Sequence, residues 1–475
     1  MPYAANKTKI VATIGPASDS PEILRKLIVA GMNVARLNFS HGDFSGHAGT
    51  IKRLRDAALA VGKPVAIMAD LPGPKMRIGK LAEEPIQLLP GETFTLTTEE
   101  ILGTRQRVSV SFSGLPAAVQ IGDRLFLNDG YIELEVLQVS AADVICRVEV
   151  GGELRSRKGL NLPGIDLGIS AFTDHDRKCL DFCRRHGVDA VSQSFVDRPA
   201  DILEVRKAAA AMDYHPMIIA KIERSNALDR IAEIIDASDG IMVARGDLGV
   251  EIPIEEMAVT QKRLMRLAIM KYKPVITATQ MLESMITNRL PTRAEATDVA
   301  NAILDGTDAV MLSGESAVGR YPADAVAMLV RIAVATERHR LAYGVPATND
   351  GGGFSDEVSP EELIAAGVGT TIGCITPAAV IVPTRSGVTA RRISRFRPPV
   401  WITAVSSELK TCRDLLFSYG VFPVHEPEHP EDWKPWVRRW LKANGREGRF
   451  VVLTEGPSRK RPDRNNSMEI IDLNA

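Results

Sequence analysis

No apolar run in the 475-residue chain approaches the ~20 residues needed to cross a bilayer, which argues against a helical membrane protein. Neither sign of charge is in excess. Lysine plus arginine (58) stands against aspartate plus glutamate (59), so no whole-molecule field favours nucleic acid or an anionic membrane surface. Any chemistry on phosphates must therefore come from local clusters. Cysteine is scarce: five residues, at 146, 179, 183, 374 and 412, an odd number, widely spread in a chain with no signal-like start. That usage argues against a disulfide framework and is expected of reduced thiols in a cytoplasmic protein. Cys179 and Cys183 are spaced i, i+4 on an expected helix, but no second Cys/His pair lies close in sequence. They read as buried thiols rather than half a zinc site. An internal repeat of fixed period and a long low-complexity tract are likewise missing.

What is present is the composition of a globular protein, 45% hydrophobic and 25% charged, with length for about three domains. Short apolar runs alternate with helix-length segments. They fall at Thr8 to Thr13, Asn33 to Asn38, Val65 to Asp70, Asp189 to Ser194, Met217 to Ile222, Gly240 to Ala244, Pro274 to Thr279 and Asp308 to Leu312. Eight such strands with intervening helices predict a (β/α)8 barrel. Ser20 and Pro21 open the first helix as N-cap and N1 residues, and Gly31 ends it.

The stretch from Met217 to Pro253 organises the rest. Lys221 and Glu223 are two residues apart at the end of one run and so project to the same side. Asp247 follows the next run between Gly246 and Gly249, where backbone N–H groups can approach a ligand. Active sites of such barrels gather at the C-terminal ends of the strands. Arg36, Asn38 and Ser40 alternate at the second of these ends, Asp70 closes the third, Thr279 the seventh, and Ser313 with Glu315 follows the eighth. Six of eight strands thus aim polar groups at one mouth.

Two regions differ in texture. Between about 72 and 166, RVSVSF, DRLFLNDGYIELEVLQV and DVICRVEV alternate or run apolar at strand length, with turns such as Asn128-Asp129-Gly130. This predicts an all-β domain inserted after the third strand and hung on two Pro/Gly joints, LPGP at 71–74 and NLPG at 161–164. After a glycine-bearing connector, ATNDGGGFSDE, strands at Ala378 to Pro383, Val400 to Ala404, Val421 to Val424, Arg449 to Leu453 and Met468 to Leu473 predict a third, α/β domain. The expected boundaries are 1–71 with 167–344 for the barrel, 72–166 for the inserted domain and 345–475 for the last.

An ammonium and two carboxylates at such a mouth suit a divalent cation and an anionic substrate. Arg36 and Lys221 can neutralise phosphoryl oxygens, while Glu223 and Asp247 can hold Mg²⁺, or Mn²⁺ in its place. Backbone N–H groups around Gly246 and Asp247 offer a carboxylate site at a helix start. Together with MNVARLNFSHG at 32–42 and ATQMLESM at 278–285, these residues resemble the pyruvate kinase family, from about Lys7 to the C-terminus.

The resemblance implies a cytoplasmic homotetramer that passes the phosphoryl group of phosphoenolpyruvate to ADP, giving pyruvate and ATP in the last step of glycolysis. It also implies that the inserted domain closes over the nucleotide. Lys221 would stabilise the moving phosphoryl group and the enolate, Thr279 would lie near the carbon that gains a proton, and Ser313 would help the relay. Arg77, His41 and Asn38 would face the nucleotide. In potassium-requiring relatives a glutamate stands where this chain has Lys75; a lysine resembles the potassium-independent branch, its ammonium replacing K⁺ near Asn38, Ser40, Asp70 and Leu71. Thr384, Arg385, Ser386, Gly387 and Thr389 match the loop that holds phosphorylated effectors. His175 and Val318 depart from lysines usual in the family, and the sequence offers no account of either. The alternative reading from the same residues is an enolate-forming, Mg²⁺-dependent lyase or aldolase, which needs neither a lid nor ADP.

Overall fold

A computed structural model describes residues 3–340, 358–430, 432–457, 463 and 465–474. Eight parallel strands close a barrel in chain order: Lys9–Thr13, Val34–Asn38, Ala66–Leu71, Ala190–Gln193, Met217–Ile222, Gly240–Ala244, Val275–Ala278 and Ala309–Leu312. Helices cover them outside, so both faces of each strand are buried and the sequence reads as unbroken apolar runs rather than as alternation. The expected first helix is Pro21–Ala30, with the Ser20 side chain accepting from the Ile23 N–H at 3.3 Å and Gly31 closing it at φ 126°. The outer core lies between strands and helices. The barrel interior is filled by Val11, Val34, Met68, Met217, Ile219, Met242, Ile276 and Met311.

The segment after the third strand forms its own core around Phe94, Leu125, Leu134 and Val144. A six-stranded sheet runs in the order Leu160–Asn161, Arg124–Leu127, Ile132–Val139, Asp143–Val150, Thr93–Thr97 and Arg107–Ser109. Ile86–Leu88 and Gly152–Leu154 make a separate ribbon. Both joints are pinned to the barrel. The Gly73 N–H donates to Asp176 Oδ1 at 3.1 Å and the Gly164 N–H to Ser225 Oγ at 3.1 Å, with both glycines at positive φ.

The C-terminal sheet has the order Val421–His425, Ile402–Ser406, Ala379–Pro383, Phe450–Glu455 and Ser467–Asp472, parallel except for the last strand. The expected connector and the 344/345 boundary lie outside the described residues. This domain seats on the N-terminal end of the barrel: Leu416 and Phe417 join the interior core, and the Lys9 ammonium donates to the Val421 carbonyl at 2.6 Å. The catalytic face is therefore the opposite, C-terminal one.

Candidate active site

All eight strand ends, not six, deliver a polar group to the mouth. Arg36 donates from Nε to Asp70 Oδ2 at 3.0 Å and from Nη1 to Thr13 Oγ1 at 3.0 Å, and Nη2 also bonds Asp70. On the other side of Asp70, the Ser192 hydroxyl donates to Oδ1 at 2.9 Å and the Lys221 ammonium lies 3.3 Å away. Burial alone would raise the Asp70 carboxyl; Lys221, Arg36 and the Ser192 hydrogen bond outweigh it and hold the group well below the usual carboxylate range.

Lys221 is the hub. Its Nζ sits 2.6 Å from Glu223 Oε1 and donates to Ser194 Oγ at 2.7 Å, so the i, i+2 pair does share one face. Burial would strip its proton, but Asp70 and Glu223 hold the ammonium charged well above its ordinary range. The other oxygen of Glu223 accepts the Phe195 N–H at 2.7 Å. Asp247 has no such counter-ion: among the described residues no ion pair reaches it, and burial in the cleft followed by the neighbouring Glu223 pushes its carboxyl above the ordinary range. It sits in the short helix Arg245–Glu251 at the open edge of the mouth.

Backbone strain concentrates here. Thr279 (φ 69°), Gln280 (φ 56°) and Phe195 (φ 59°) are non-glycine residues in left-handed conformation, which a β-branched residue strongly resists. Thr279 is held by both its oxygens. Its hydroxyl accepts the Gly246 N–H at 3.0 Å, and its carbonyl accepts Arg245 Nη2 at 3.0 Å, while Arg245 is fixed by Asp298 at 2.7 Å. A Cβ at position 246 would lie 3.2 Å from Thr279 Cγ2, so this approach calls for glycine. The Gly246 N–H, one of the groups expected to offer a carboxylate site, donates to the Thr279 hydroxyl in this structure. The Ser313 N–H donates to Glu315 Oε2 at 2.7 Å, and Glu315 Oε1 accepts the Leu282 N–H at 3.0 Å, tying the seventh and eighth loops together.

The remaining expected residues ring this cluster. Asn38 Oδ1 accepts the Ser40 N–H at 3.1 Å, and Leu71 ends its strand fully buried. Lys75 makes no ion pair among the described residues. Burial and the Lys221 charge lower its ammonium against the pull of Asp70 and Glu223, which places it within electrostatic reach of the expected cation region. His41 lies at the exposed edge, and partial desolvation of its ring together with the charges of Lys75, Arg77 and Arg36 lowers its affinity for a proton. Arg77 belongs to the inserted domain and donates to the Arg157 carbonyl at 2.8 Å. The Asn128–Gly130 turn of that domain lies against the Asp247 helix, a Cβ at 130 falling 3.2 Å from Val250 Cγ2. Far away at the opposite barrel end, the Thr384 hydroxyl accepts the Gly387 N–H at 2.9 Å and the Arg385 carbonyl accepts from the Thr411 hydroxyl at 2.6 Å; Ser386 and Thr389 complete that loop.

Sequence reasoning missed Thr13, Ser192, Ser194 and Arg245. The hydroxyls at 192 and 194 carried the same i, i+2 signal as Lys221 and Glu223.

Residues 5–326 match the model of the pyruvate kinase barrel domain, and 362–471 that of the pyruvate kinase alpha/beta domain. The chain belongs to the pyruvate kinase family. It is 44% identical to the pyruvate kinase of Thermococcus litoralis, covering 100% of both chains. It is 41% identical to that of Thermotoga maritima, over 94% of this chain and 96% of the relative. A crystal structure of a pyruvate kinase from Cryptosporidium parvum superposes with a TM-score of 0.92 at 37% identity, covering 98% and 96% of the two chains. The chain is accordingly a phosphotransferase with pyruvate kinase activity on a TIM barrel. Among the described residues no helix is long and apolar enough to cross a membrane.

Proposed function

We propose that the mouth built around Lys221 carries out the family reaction on phosphoenolpyruvate and ADP. The bond between phosphorus and the enol oxygen breaks, one to the terminal ADP oxygen forms, and the enolate left behind takes a proton on carbon to become pyruvate. Such a transfer needs charge neutralised and oxygens positioned rather than covalent help. The observation that carries the reading is Lys221, locked as an ammonium by Glu223 at 2.6 Å and Asp70 at 3.3 Å at a strand end. Its third interaction, with Ser194, is a neutral one that a phosphoryl oxygen can replace. Arg36, fixed by Asp70 and Thr13, keeps its direction while adding a second positive charge.

Glu223 and Asp247 fit a divalent cation: both offer hard carboxylate oxygens, and a cation between them would offset the burial and the Glu223 charge that raise Asp247. Bound there, Mg²⁺ or Mn²⁺ would neutralise phosphoryl oxygens and orient them. The chain's own residues do the rest. Thr279, held in its strained conformation, fixes a hydroxyl where it can guide a proton path through water, because a hydroxyl of ordinary pKa is a poor acid by itself. Ser313, anchored through Glu315, extends that path, and Gly246 with Asp247 and Thr279 positions the substrate.

Arg77, His41 and Asn38 form the nucleotide side. The cations that lower the His41 proton affinity would bind nucleotide phosphates. The contact of the Asn128–Gly130 turn with Val250 supports a lid and disfavours the lyase alternative, which has no use for one. Lys75 would replace K⁺ beside Asn38, Ser40, Asp70 and Leu71, making the chain potassium-independent. The loop Thr384, Arg385, Ser386, Gly387 and Thr389 would take an effector phosphate, and the assembly would be a cytoplasmic homotetramer.

Pyruvate formation, followed with ADP, Mg²⁺ and K⁺ each left out in turn, tests this. Turnover that requires ADP and Mg²⁺ but not K⁺ is expected. Turnover without ADP selects the lyase, and a strict K⁺ requirement removes the role given to Lys75.

A further inference from the structure

The second joint of the inserted domain is gripped by a buried charge that phosphoryl transfer does not use. Arg224, the residue after Glu223, is 2% exposed; its Nη2 donates to the Ile165 carbonyl at 2.6 Å and its Nε lies 3.0 Å from Asp197 Oδ1. The next residue, Ser225, accepts the Gly164 N–H at 3.1 Å. Successive residues beyond the fifth strand thus hold successive residues of the joint. Gly164 turns the chain there at φ 72°, and Ile165 packs against the core of the inserted domain.

The first joint leans on the same neighbourhood. A Cβ at Gly73 would lie 3.0 Å from Phe195 Cδ2 and 3.2 Å from the Ser194 carbonyl, and it is the Phe195 N–H that donates to Glu223 Oε2 at 2.7 Å. Asp197, two residues further on, is the partner of Arg224. Both joints therefore rest on two short segments, around Phe195 and Arg224, that also hold Glu223. A guanidinium is costly to bury, and for stability alone an apolar side chain of similar volume serves as well. What the fork adds is a fixed direction toward a backbone carbonyl and a carboxylate at once. Arg198 makes the contrast: it reaches Asp166 of the same joint at 3.5 Å with both side chains largely in solvent, where an ion pair contributes little.

We infer that Arg224 is a positioning residue for the nucleotide: by fixing the Gly164–Ile165 joint to the segment that carries Glu223, it sets where the inserted domain stands over the mouth. The inference rests on the reading of that domain as a lid over ADP. Arg224 acts through the joint and touches neither substrate. With the joint loosened, the domain samples positions in which Arg77 no longer faces the mouth, and the apparent affinity for ADP falls by the fraction of time it spends there. Phosphoenolpyruvate, held by barrel residues alone, is spared.

The test compares Arg224→Gln and Arg224→Lys in the full-length protein, with Arg198→Gln as the control at the same joint. The readouts are separate KM values for ADP and phosphoenolpyruvate and amide hydrogen exchange across the joint. Arg224→Gln should speed that exchange and raise the KM for ADP about fivefold or more, as loss of a hydrogen bond from a charged group does, with the KM for phosphoenolpyruvate within about twofold. Arg224→Lys keeps a positive charge beside Asp197 but lacks the fork to hold Ile165 as well, so it should do the same; it carries the test if the glutamine variant fails to fold. Arg198→Gln should change neither readout. KM values for both substrates that rise together, or a lysine variant that behaves as the parent, overturn the inference. Unchanged exchange in a folded Arg224→Gln protein overturns it while leaving the lid reading in place. Faster exchange with an unchanged KM for ADP overturns it by removing the lid reading itself.

Discussion

The two ends of this barrel are built from the same residue types and treat them in opposite ways. At the N-terminal end two buried carboxylates are answered completely. Asp308 receives Arg397 at 2.7 and 2.8 Å and the N–H groups of Val275 and Tyr419, and Asp189 receives Arg55, Arg413 and the Ile67 N–H. Leu416 and Phe417 then seal the interior. At the C-terminal mouth Asp247 and Lys75 make no close ion pair among the described residues, although Lys221 and Lys75 act on the one and Asp70 and Glu223 on the other from farther off. Three non-glycine residues there are left-handed, and the end stays open. One end uses ion pairs to hold two domains together; the other leaves them incomplete so that a substrate can complete them.

Breaking the closed end should cost stability and spare chemistry. Arg397→Met leaves Asp308 buried without its partner and should destabilise by about 3–5 kcal/mol, read as a lowered denaturant midpoint with little change in KM. Lys9, also at this end, sharpens the contrast through pH. Burial lowers its ammonium to about 7, with Glu337 and Asp308 opposing, so the unfolded chain binds the extra proton. Stability should rise between pH 7 and about 10 by up to about 1.4 kcal/mol per pH unit, and this contribution should level off below pH 7, where both states hold the proton. A Lys9→Met variant should flatten that slope.

Changes at the open end should do the reverse. Thr279→Ala should lower turnover about tenfold or more while Thr279→Ser retains most of it, if the hydroxyl is what matters. Equal losses in both variants would point to the backbone conformation instead. The smallest effect belongs to Gly130→Ala: at φ 88°, with its new Cβ 3.2 Å from Val250, it should disturb the turn's seat on the Asp247 helix and raise the KM for ADP a few-fold without altering the melting temperature much. An unchanged KM would mean that this contact has no part in nucleotide binding.

Much of this was legible in the sequence, for reasons that also explain the omissions. Parallel barrel strands are buried on both sides, so eight apolar runs marked them to within about a residue, and Lys221 with Glu223 followed from the two-residue period. Ile86–Leu88, Gly152–Leu154 and Leu160–Asn161 were invisible because strands of two or three residues are defined by distant partners rather than by their own pattern. The left-handed backbone of Thr279 could not be foreseen, since a threonine argues locally against it and only Gly246 and Arg245 together impose it.

The central claim is that the open end holds the chemistry and that Lys221 is its hub. Turnover of Lys221→Met, measured beside its melting temperature at saturating phosphoenolpyruvate and ADP, tests it most directly. The account predicts a loss of at least about 10²-fold, the cost of one preorganised electrostatic group, in a protein that still folds. Near-normal turnover in a folded Lys221→Met protein would contradict it.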